Sequence, residues 1–312
     1  MKEKYLTNTI SKSQKVKEHY EQWPFPGEDF FSREGLLLLR YLNKWLIAES
    51  QDERKPPKVI DVGCGTGHTT IALAKNFPGI QFMGIDITDK SLEVGRIRAK
   101  KSNITNITFQ NVDIRKDFAI PGEFKVALCL GVLHHVQDLD VTFKHVVHLV
   151  QKDGYLVLWL YGQYGRLKHN LNQSFLKLLT KNISKSDAFL AVQTFLEELG
   201  HRFAVDSGFY TPKGSSIQGV TWLLEHPQWL ADQMIPAFEQ SVTMQDILRL
   251  FADNHLEFVK WLGVPCHLKS YTSSKILLEY FDKLSYQDQL IAIDYLYKPE
   301  YYFVAGKKLS HN

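Results

Sequence analysis

The 312-residue chain has little cysteine: Cys64, Cys129 and Cys266 are its three thiols. An odd number of widely separated cysteines argues against a disulfide framework and fits a reducing compartment. The chain also lacks a CxxC pair and any His/Cys spacing typical of zinc. We therefore expect neither disulfides nor a bound metal.

Long apolar runs and a strong net charge are lacking as well. No apolar stretch approaches the roughly 20 residues that a membrane span needs, and charged residues follow Met1 where a signal peptide would be apolar. A formal net charge of +3 does not suggest a dedicated nucleic-acid-binding protein. The expectation is a cytoplasmic protein without a membrane partner, although an exported effector lacking a cleavable signal would have the same pattern. The oligomeric state is left open.

The composition that is present suits one large α/β domain, with 44% hydrophobic and 23% charged residues. Between Lys58 and Tyr161, short apolar strands alternate with helical segments and tight turns. This alternation predicts βαβ units, a parallel sheet and helices on both of its faces. The predicted strands of this part are 58–62, 80–85, 107–111, 126–130 and 155–161.

The chain divides into four regions, according to where the alternation of strands and helices begins, ends and resumes. Beyond Tyr161 the apolar residues have helical spacing and the strands disappear, which predicts a mainly helical insertion after the fifth strand. The rhythm then returns with predicted strands at 256–261 and 301–305. The regions are 1–57 (helical segment and possible lid), 58–162 (α/β core), 163–240 (helical cap) and 241–312 (closing strands).

A glycine-rich loop, DVGCGTG at residues 61–67, follows the first strand directly. Its glycines let the backbone turn sharply and approach a ligand, while the next helix points its free N–H groups and positive dipole end at the same place. The spacing is GxGxG, whereas dinucleotide-binding folds use GxGxxG. The Asp61 carboxylate suits an ammonium group better than a pyrophosphate. The loop therefore favours the zwitterionic end of S-adenosylmethionine (SAM) over NAD.

Two more acids end the next strands. Asp86 lies about 20 residues beyond the glycine loop, where a carboxylate can accept hydrogen bonds from both ribose hydroxyls of an adenosine. Asp113 can accept from an adenine amine, with Ile114 against the ring face. Each acid also has a simpler structural explanation: Asp86 could be a helix or turn cap for Ser91, and Asp113 could be a turn residue. Asp86 by itself does not distinguish SAM from NAD.

Five segments resemble, in order, the successive motifs of the class I SAM-dependent methyltransferases: VIDVGCGTGHTT (59–70), GIDITDKSLEVG (84–95), FQNVDIRK (109–116), LCLGVLHHVQD (129–138) and LVQKDGYLVLWLYG (149–162). The resemblance implies a Rossmann-like, doubly wound α/β sheet of seven strands with the last strand antiparallel. It also implies SAM as cofactor and S-adenosylhomocysteine (SAH) as product. The predicted cofactor-binding residues are Asp61, Gly63, Cys64, Gly65, Thr66, Gly67, Asp86, Ile87, Asp113, Ile114, Leu130 and Gly131.

Two histidines after the fourth strand are the candidate catalytic residues. His134 or His135 can deprotonate a hydroxyl or amine near neutral pH, because an unperturbed imidazole titrates there. A base is needed only when the acceptor arrives protonated. The alternative for each histidine is simple packing with hydrogen bonds to the backbone.

Five further residues are candidates for contacting the methyl acceptor. Tyr161, Tyr164 and Arg166 follow the fifth strand, and Arg166 can pair bidentately with a carboxylate or phosphate. Tyr20 and Trp23 belong to an aromatic, proline-rich segment that can fold over the cofactor. The structural alternative for Arg166 is an exposed surface position. The alternative for Tyr20 and Trp23 is packing onto the helix predicted at 33–48.

The favoured function is methyl transfer to an oxygen or nitrogen of a small molecule. A protein or RNA methyltransferase, or a SAM-binding interaction module without catalysis, is the alternative, and an NAD-dependent oxidoreductase is disfavoured by the glycine spacing. No Asn-Pro-Pro-Tyr-type segment follows the fourth strand. Such a segment marks enzymes that methylate exocyclic amines of bases or amides of glutamine. Its absence lowers the expectation of DNA or protein glutamine as substrate, and we predict no DNA partner.

Overall fold

The structure is a computed structural model that describes residues 12–26, 33–47, 57–200 and 216–310. Parts of the predicted N-terminal region and residues 201–215 of the predicted cap therefore lie outside the described residues.

Seven strands form one sheet, in the order β3-β2-β1-β4-β5-β7-β6. Strands β1 to β5 pair in parallel, whereas β7 runs antiparallel to both of its neighbours. The predicted sheet and its antiparallel last strand are confirmed. The strands are β1 (Lys58–Val62), β2 (Gln81–Asp86), β3 (Ile107–Asn111), β4 (Phe124–Leu130), β5 (Val150–Tyr161), β6 (Leu256–Trp261) and β7 (Tyr301–Lys308).

Twelve α-helices lie within the described residues, and none of them is long and apolar enough to cross a bilayer. They are α1 (Lys12–Gln22), α2 (Arg33–Ile47), α3 (His68–Asn76), α4 (Asp89–Lys101), α5 (Leu139–Leu149), α6 (Leu167–Leu179), α7 (Lys185–Phe195), α8 (Ser216–Glu225), α9 (Pro227–Met234), α10 (Met244–Asp253), α11 (Lys275–Asp282) and α12 (Tyr286–Tyr297).

Both faces of the sheet are covered by apolar side chains. On one face, Leu38, Leu42 and Trp45 of α2 are buried against the sheet, and the Trp45 ring stacks on Tyr155 at 4.8 Å. On the other face, α5 and α10 contribute residues such as Phe143 to the larger core cluster. Burial on both faces explains why residues 126–130 of β4 are a continuous apolar run in the sequence.

The chain leaves the sheet at Gly162 and returns beside it at Val242. The Gln163 amide donates to the Val242 carbonyl at 2.9 Å, and the Val242 amide donates to Tyr161 at 3.0 Å. Helices α6 to α9, with a π-helical turn at Leu196–Gly200, lie between these two points and enclose their own apolar cluster. We call these helices, together with residues 235–241, the cap. Its exact limits remain a prediction.

Local sequence signals account for several helix ends. Thr243 and Asp246 form the predicted capping box of α10, because each side chain bonds the other residue's backbone amide. Helix α1 ends at Gln22, just before Trp23 and Pro24, as expected where a proline disfavours helix in the residue before it.

Candidate active site

A cavity of about 250 Å³ lies at the carboxyl ends of the parallel strands, beneath the cap. Its loop end is formed by the glycine loop and by the acids at or just beyond the carboxyl ends of β1, β2 and β3. Its cap end is formed by α1, the residues after β4 and α9. Ligands of open α/β sheets bind at this edge, where the connections of β1 and β4 diverge to opposite sides.

The glycine loop has a conformation that side chains would not permit. Gly63 and Gly65 have φ angles of 70° and 53°, in the left-handed region. A Cβ atom on Gly63 would lie 2.3 Å from a methyl group of Val132, and one on Gly65 would lie 2.1 Å from the Phe25 carbonyl oxygen. Since these glycines have no side chains, the loop can pack tightly against Val132 and Phe25 and still leave its other side open to a ligand.

Asp61 is buried at the start of the loop and lines the cavity. Its carboxylate accepts a hydrogen bond from the Thr70 hydroxyl at 2.5 Å. Burial raises the pKa of Asp61 to about 7, repulsion from Asp86 adds to this shift, and the Thr70 hydrogen bond opposes it. Within the described part of the chain, no lysine or arginine forms an ion pair with Asp61, so a cationic ligand group would be favourable here.

Asp86 ties the end of β2 to the glycine loop. One carboxylate oxygen accepts from the Gly65 amide at 2.9 Å, and the other accepts from the Thr88 amide and hydroxyl at 2.9 and 2.7 Å. Burial raises the pKa of Asp86 above its ordinary value, and these hydrogen bonds limit the rise. Each oxygen keeps acceptor capacity, because a carboxylate offers about four lone-pair sites.

Asp113 is held by the residue two positions later. The Arg115 guanidinium donates to both carboxylate oxygens at 2.7 Å, and the Arg115 amide adds a third bond at 3.2 Å. Burial by itself would raise the pKa of Asp113, but these bonds outweigh it and lower the pKa. A ligand amine would therefore share this carboxylate with Arg115, and the sequence pattern did not indicate that competition.

Most of the other predicted cofactor residues also line the cavity. Thr66 and Gly67 do not: the Thr66 hydroxyl bonds the Pro26 carbonyl and Arg98, and Gly67 allows close packing of Phe109. The predicted contact of Thr66 and Gly67 with the cofactor is therefore corrected: both residues support the conformation of the loop. The predicted residues that do line the cavity are Asp61, Gly63, Cys64, Gly65, Asp86, Ile87, Asp113, Ile114, Leu130 and Gly131.

The N-terminal segment lies directly on the glycine loop. The Thr66 amide donates to the Phe25 carbonyl at 3.1 Å, and Tyr20, Phe25 and Pro26 line the cavity. Trp23 is the exception, because its ring stacks on Phe189 of α7 at 4.9 Å and is not part of the cavity wall. The assignment of Trp23 to substrate binding is therefore corrected to an anchor between this segment and the cap.

Gly65→Ala is expected to separate the N-terminal segment from the loop, because the new Cβ would clash with a backbone atom in a left-handed conformation. We expect a destabilisation of about 1–3 kcal/mol in urea unfolding. Tryptic cleavage at Lys15 and Lys17 should also become faster. Gly79→Ala is the matched control, since a Cβ there meets nothing within 4 Å. Equal stability of the two variants would contradict the packing described here.

The two histidines after β4 are both buried but differ in their partners. Nδ1 of His135 lies 2.9 Å from the Phe238 carbonyl oxygen, which can only accept, so Nδ1 carries the proton. Nε2 is then the basic nitrogen, 3.7 Å from Oδ1 of Asp232. By contrast, both ring nitrogens of His134 are buried and have no hydrogen-bond partner among the residues that the structure describes. Burial lowers the pKa of His134 well below 6.5, aided by the nearby His135 and Arg166 charges, so His134 is neutral at pH 7.

Helix α9 contributes two polar side chains to the cap end. Asp232 accepts hydrogen bonds from the Tyr20 hydroxyl and from the side-chain amide of Gln233, both at 2.8 Å. The Gln233 amide also donates to the Tyr161 hydroxyl at 2.6 Å. Burial raises the pKa of Tyr20 well above 10, and Asp232 raises it further, so this hydroxyl remains a donor. The sequence analysis did not identify Asp232 or Gln233, since neither belongs to a recognisable motif.

Arg166 is neither a surface residue nor a ligand for an anion. It is 1% exposed, pairs with Glu239 at 3.1 Å and donates to Gln233 at 3.3 Å. Its guanidinium also stacks over the Tyr161 ring at 3.5 Å. Arg166 thus supports the wall from behind, and its predicted role in substrate binding is corrected. Tyr161 lines the cavity, and its contact with substrate stays a prediction.

Tyr164 also lies away from the cavity. Its ring contacts Tyr295 of α12 at 5.5 Å. The prediction that it contacts substrate is therefore corrected to packing between the start of the cap and the core. The fifth strand does end at the ligand edge, but the chain turns away from the cavity before Tyr164.

Residues 53–203 match the family model of a methyltransferase domain. The matched residues make up just under half of the chain, and they show a methyltransferase domain. The sheet topology shows the class I SAM-dependent methyltransferase fold. Among solved structures, the fold is similar to PKMT2 from Rickettsia typhi, with a TM-score of 0.65 and 15% identity over 89% of this chain and 53% of that one. A second structure of PKMT2, in complex with AdoHcy, gives a TM-score of 0.63 at 15% identity, covering 82% of this chain and 49% of PKMT2.

Two curated sequences are also similar. An uncharacterised protein from Synechococcus sp. is 33% identical over 124 residues, which cover 39% of this chain and 30% of that protein. The ubiquinone biosynthesis O-methyltransferase from Acinetobacter baumannii is 31% identical over 100 residues, covering 32% of this chain and 41% of the enzyme. The match thus spans less than half of each curated relative.

Proposed function

We propose that this protein is a methyltransferase that transfers the methyl group of SAM to an oxygen or nitrogen of a small molecule and releases SAH. One observation carries the proposal: a continuous cavity joins the glycine loop and Asp86 at one end to His135 and Asp232 at the other. A donor site and an acceptor site are thereby adjacent. The methyltransferase-domain match and the similar O-methyltransferase support the class, and the solved structures support the fold. None of them identifies the acceptor.

The loop end fits SAM chemically. Asp61 is a buried carboxylate that no described lysine or arginine pairs with, which suits the ammonium of the amino-acid end. Asp86 has acceptor capacity left for ribose hydroxyls, and Ile114 offers an apolar side chain to an adenine ring. Among the described residues that line the cavity, Arg115 is the only lysine or arginine, and it is paired with Asp113. The cavity lining therefore offers little attraction to the pyrophosphate of NAD.

The protein's own contribution is positioning, exclusion of water and proton transfer. When bound, SAM supplies an activated methyl group that leaves while the electron pair of its S–C bond stays on sulfur. Holding the acceptor in line contributes roughly 7–11 kcal/mol in favourable cases. The contacts between the N-terminal segment, the glycine loop and α9 support such exclusion of water.

His135 is the better candidate for the general base. The Phe238 carbonyl holds its tautomer with Nε2 unprotonated, and Asp232 is close enough to stabilise the imidazolium once Nε2 accepts a proton. His134 has no comparable partner, and its lowered pKa makes it a weak base. This difference supports a positional role for His134 through its two unpaired nitrogens.

His135→Gln is expected to reduce kcat by about 10²–10⁴-fold, the usual contribution of a general base. SAH affinity should be unchanged, because His135 lies at the cap end. Turnover is measured as SAH release with an acceptor found in a metabolite screen, and affinity by calorimetry. His148→Gln, an exposed histidine on α5, is the control. An unchanged kcat for His135→Gln would transfer the role to another group or remove the need for a base.

Thermal melting with SAM, SAH and NAD tests the cofactor assignment, because a ligand of the native state raises the melting temperature. Stabilisation by SAM and SAH but not by NAD is expected. Stabilisation by NAD but not by SAH would refute the proposal. Tight SAH binding without methylation of any metabolite, protein or RNA would favour an interaction module. Methylation of protein or RNA alone would favour the macromolecular alternative.

A further inference from the structure

The cap end contains a buried acid, Asp232, that has no lysine or arginine partner among the described residues. Asp232 is 4% exposed, lines the cavity and accepts hydrogen bonds on both oxygens from Tyr20 and Gln233. Within the described residues, no lysine or arginine forms an ion pair with it, and His135 lies 3.7 Å away. A buried carboxylate without a cation is costly, so a cationic ligand group would gain more here than in water.

The cavity as a whole has the same bias. Four carboxylates line it, Asp61, Asp86, Asp113 and Asp232, against one arginine among the described residues. That arginine, Arg115, is already paired with Asp113. Arg166 lies behind the wall and is paired with Glu239. An acceptor with a carboxylate or phosphate would therefore meet repulsion, and no described lining residue would offer it an unpaired lysine or arginine.

Aromatic rings form the remaining walls of the cap end. Tyr20, Phe25, Trp159 and Trp229 line the cavity, and the Phe25 and Trp229 rings are 4.6 Å apart. Aromatic faces attract cations and bury apolar groups. The two unpartnered nitrogens of His134, buried beside them, offer one donor and one acceptor to a polar substituent.

We infer, on the basis of the proposed methyltransferase function, that the acceptor is a hydrophobic amine whose ammonium group binds to Asp232 between these aromatic rings. The ammonium loses one proton to Nε2 of His135: its N–H bond breaks, the Nε2–H bond forms, and the electron pair remains on the amine nitrogen. Asp232 then pairs with the imidazolium. The free amine is the nucleophile for methylation.

Calorimetry on the full chain tests this inference with matched probes, both with and without saturating SAH. The first set is 2-phenylethylamine, 2-phenylethanol and 3-phenylpropionate, followed by two- and three-ring analogues with the same three end groups. We expect the amines to bind about 10–100-fold more tightly than the alcohols, as charge-assisted hydrogen bonds would give. The carboxylates should bind most weakly. Equal or tighter binding of the alcohols or carboxylates, or no binding of any amine, would overturn the inference.

Asp232→Asn should remove the preference for amines and leave the affinity for alcohols and SAH nearly unchanged. Asp253→Asn, which alters an exposed acid on α10, is the control and should keep the preference. Retention of the preference in Asp232→Asn would overturn the inference. If that variant does not fold, the probe series on the unmodified chain still decides. Failure of SAH to bind would refute the proposed function. The preference for amines is measured without SAH as well, so failure of the inference is distinguishable from failure of the proposed function.

Discussion

Asp86→Ala is expected to abolish the thermal stabilisation by SAH and to weaken SAH binding by at least about 10²-fold. Two charge-assisted hydrogen bonds to ribose hydroxyls would be lost, each worth about 1.5–3 kcal/mol. The variant also releases the Gly65 amide and Thr88, which Asp86 holds in the free protein. Calorimetric titration with SAH measures the effect directly.

Asp89→Ala is the matched control for this experiment. Asp89 lies three residues further on, is exposed and begins α4, so its removal should change SAH affinity little. Should Asp86→Ala bind SAH as tightly as the unmodified protein, the assignment of Asp86 to the ribose would be wrong. A loss of folding, seen by circular dichroism, would instead show that Asp86 matters mainly for holding the loop.

Asp61→Asn is expected to make the ligand-free protein more stable and SAH binding weaker. Burial raises the pKa of Asp61 to about 7, from an ordinary value of 3.8, so ionisation of this buried acid opposes folding. The cost is absent below about pH 4, grows as the pH rises towards 7 and is complete above it. At pH 8 the full shift corresponds to an upper bound of about 4 kcal/mol.

Melting temperatures from pH 4 to pH 8 test the sign of this effect. The gap between Asp61→Asn and the unmodified protein should widen with rising pH, and saturating SAH should narrow or reverse it, because the ligand ammonium then stabilises the Asp61 carboxylate. Asp253→Asn should show no such trend. A variant that is less stable at pH 8 than at pH 4, relative to the unmodified chain, would contradict the burial argument.

The loop end of the site was largely predictable because its geometry is encoded locally. A strand, three spaced glycines and a helix start form a turn whose shape depends on neighbouring residues, and Asp61, Gly63 and Gly65 all line the cavity. The terminal acids of β2 and β3 follow from the parallel sheet in the same way. Local spacing did not predict the roles of Thr66 and Gly67, because these residues contact Arg98 and Phe109, which are distant in the sequence.

The cap end was predictable only in part, because its contacts join distant residues. Tyr20 and Asp232 are 212 positions apart, and His135 and Phe238 are 103 apart. Nothing in the local pattern of α9 distinguishes Asp232 from a solvated acid. Arg166 and Tyr164 were predicted to face the ligand because they follow β5, but the turn after Tyr161 directs both elsewhere.

The sequence alone therefore determined the class of fold, the glycine loop and the acids that follow the first three strands, because short-range spacing specifies turns and strand ends. Only the tertiary structure decided which histidine has a basic nitrogen next to an acid, that Trp23 anchors the cap, and that Arg166 is neutralised by Glu239. These features depend on burial and on pairing across the fold. In a low-dielectric interior, the partner that each charge meets there determines what the charge can do.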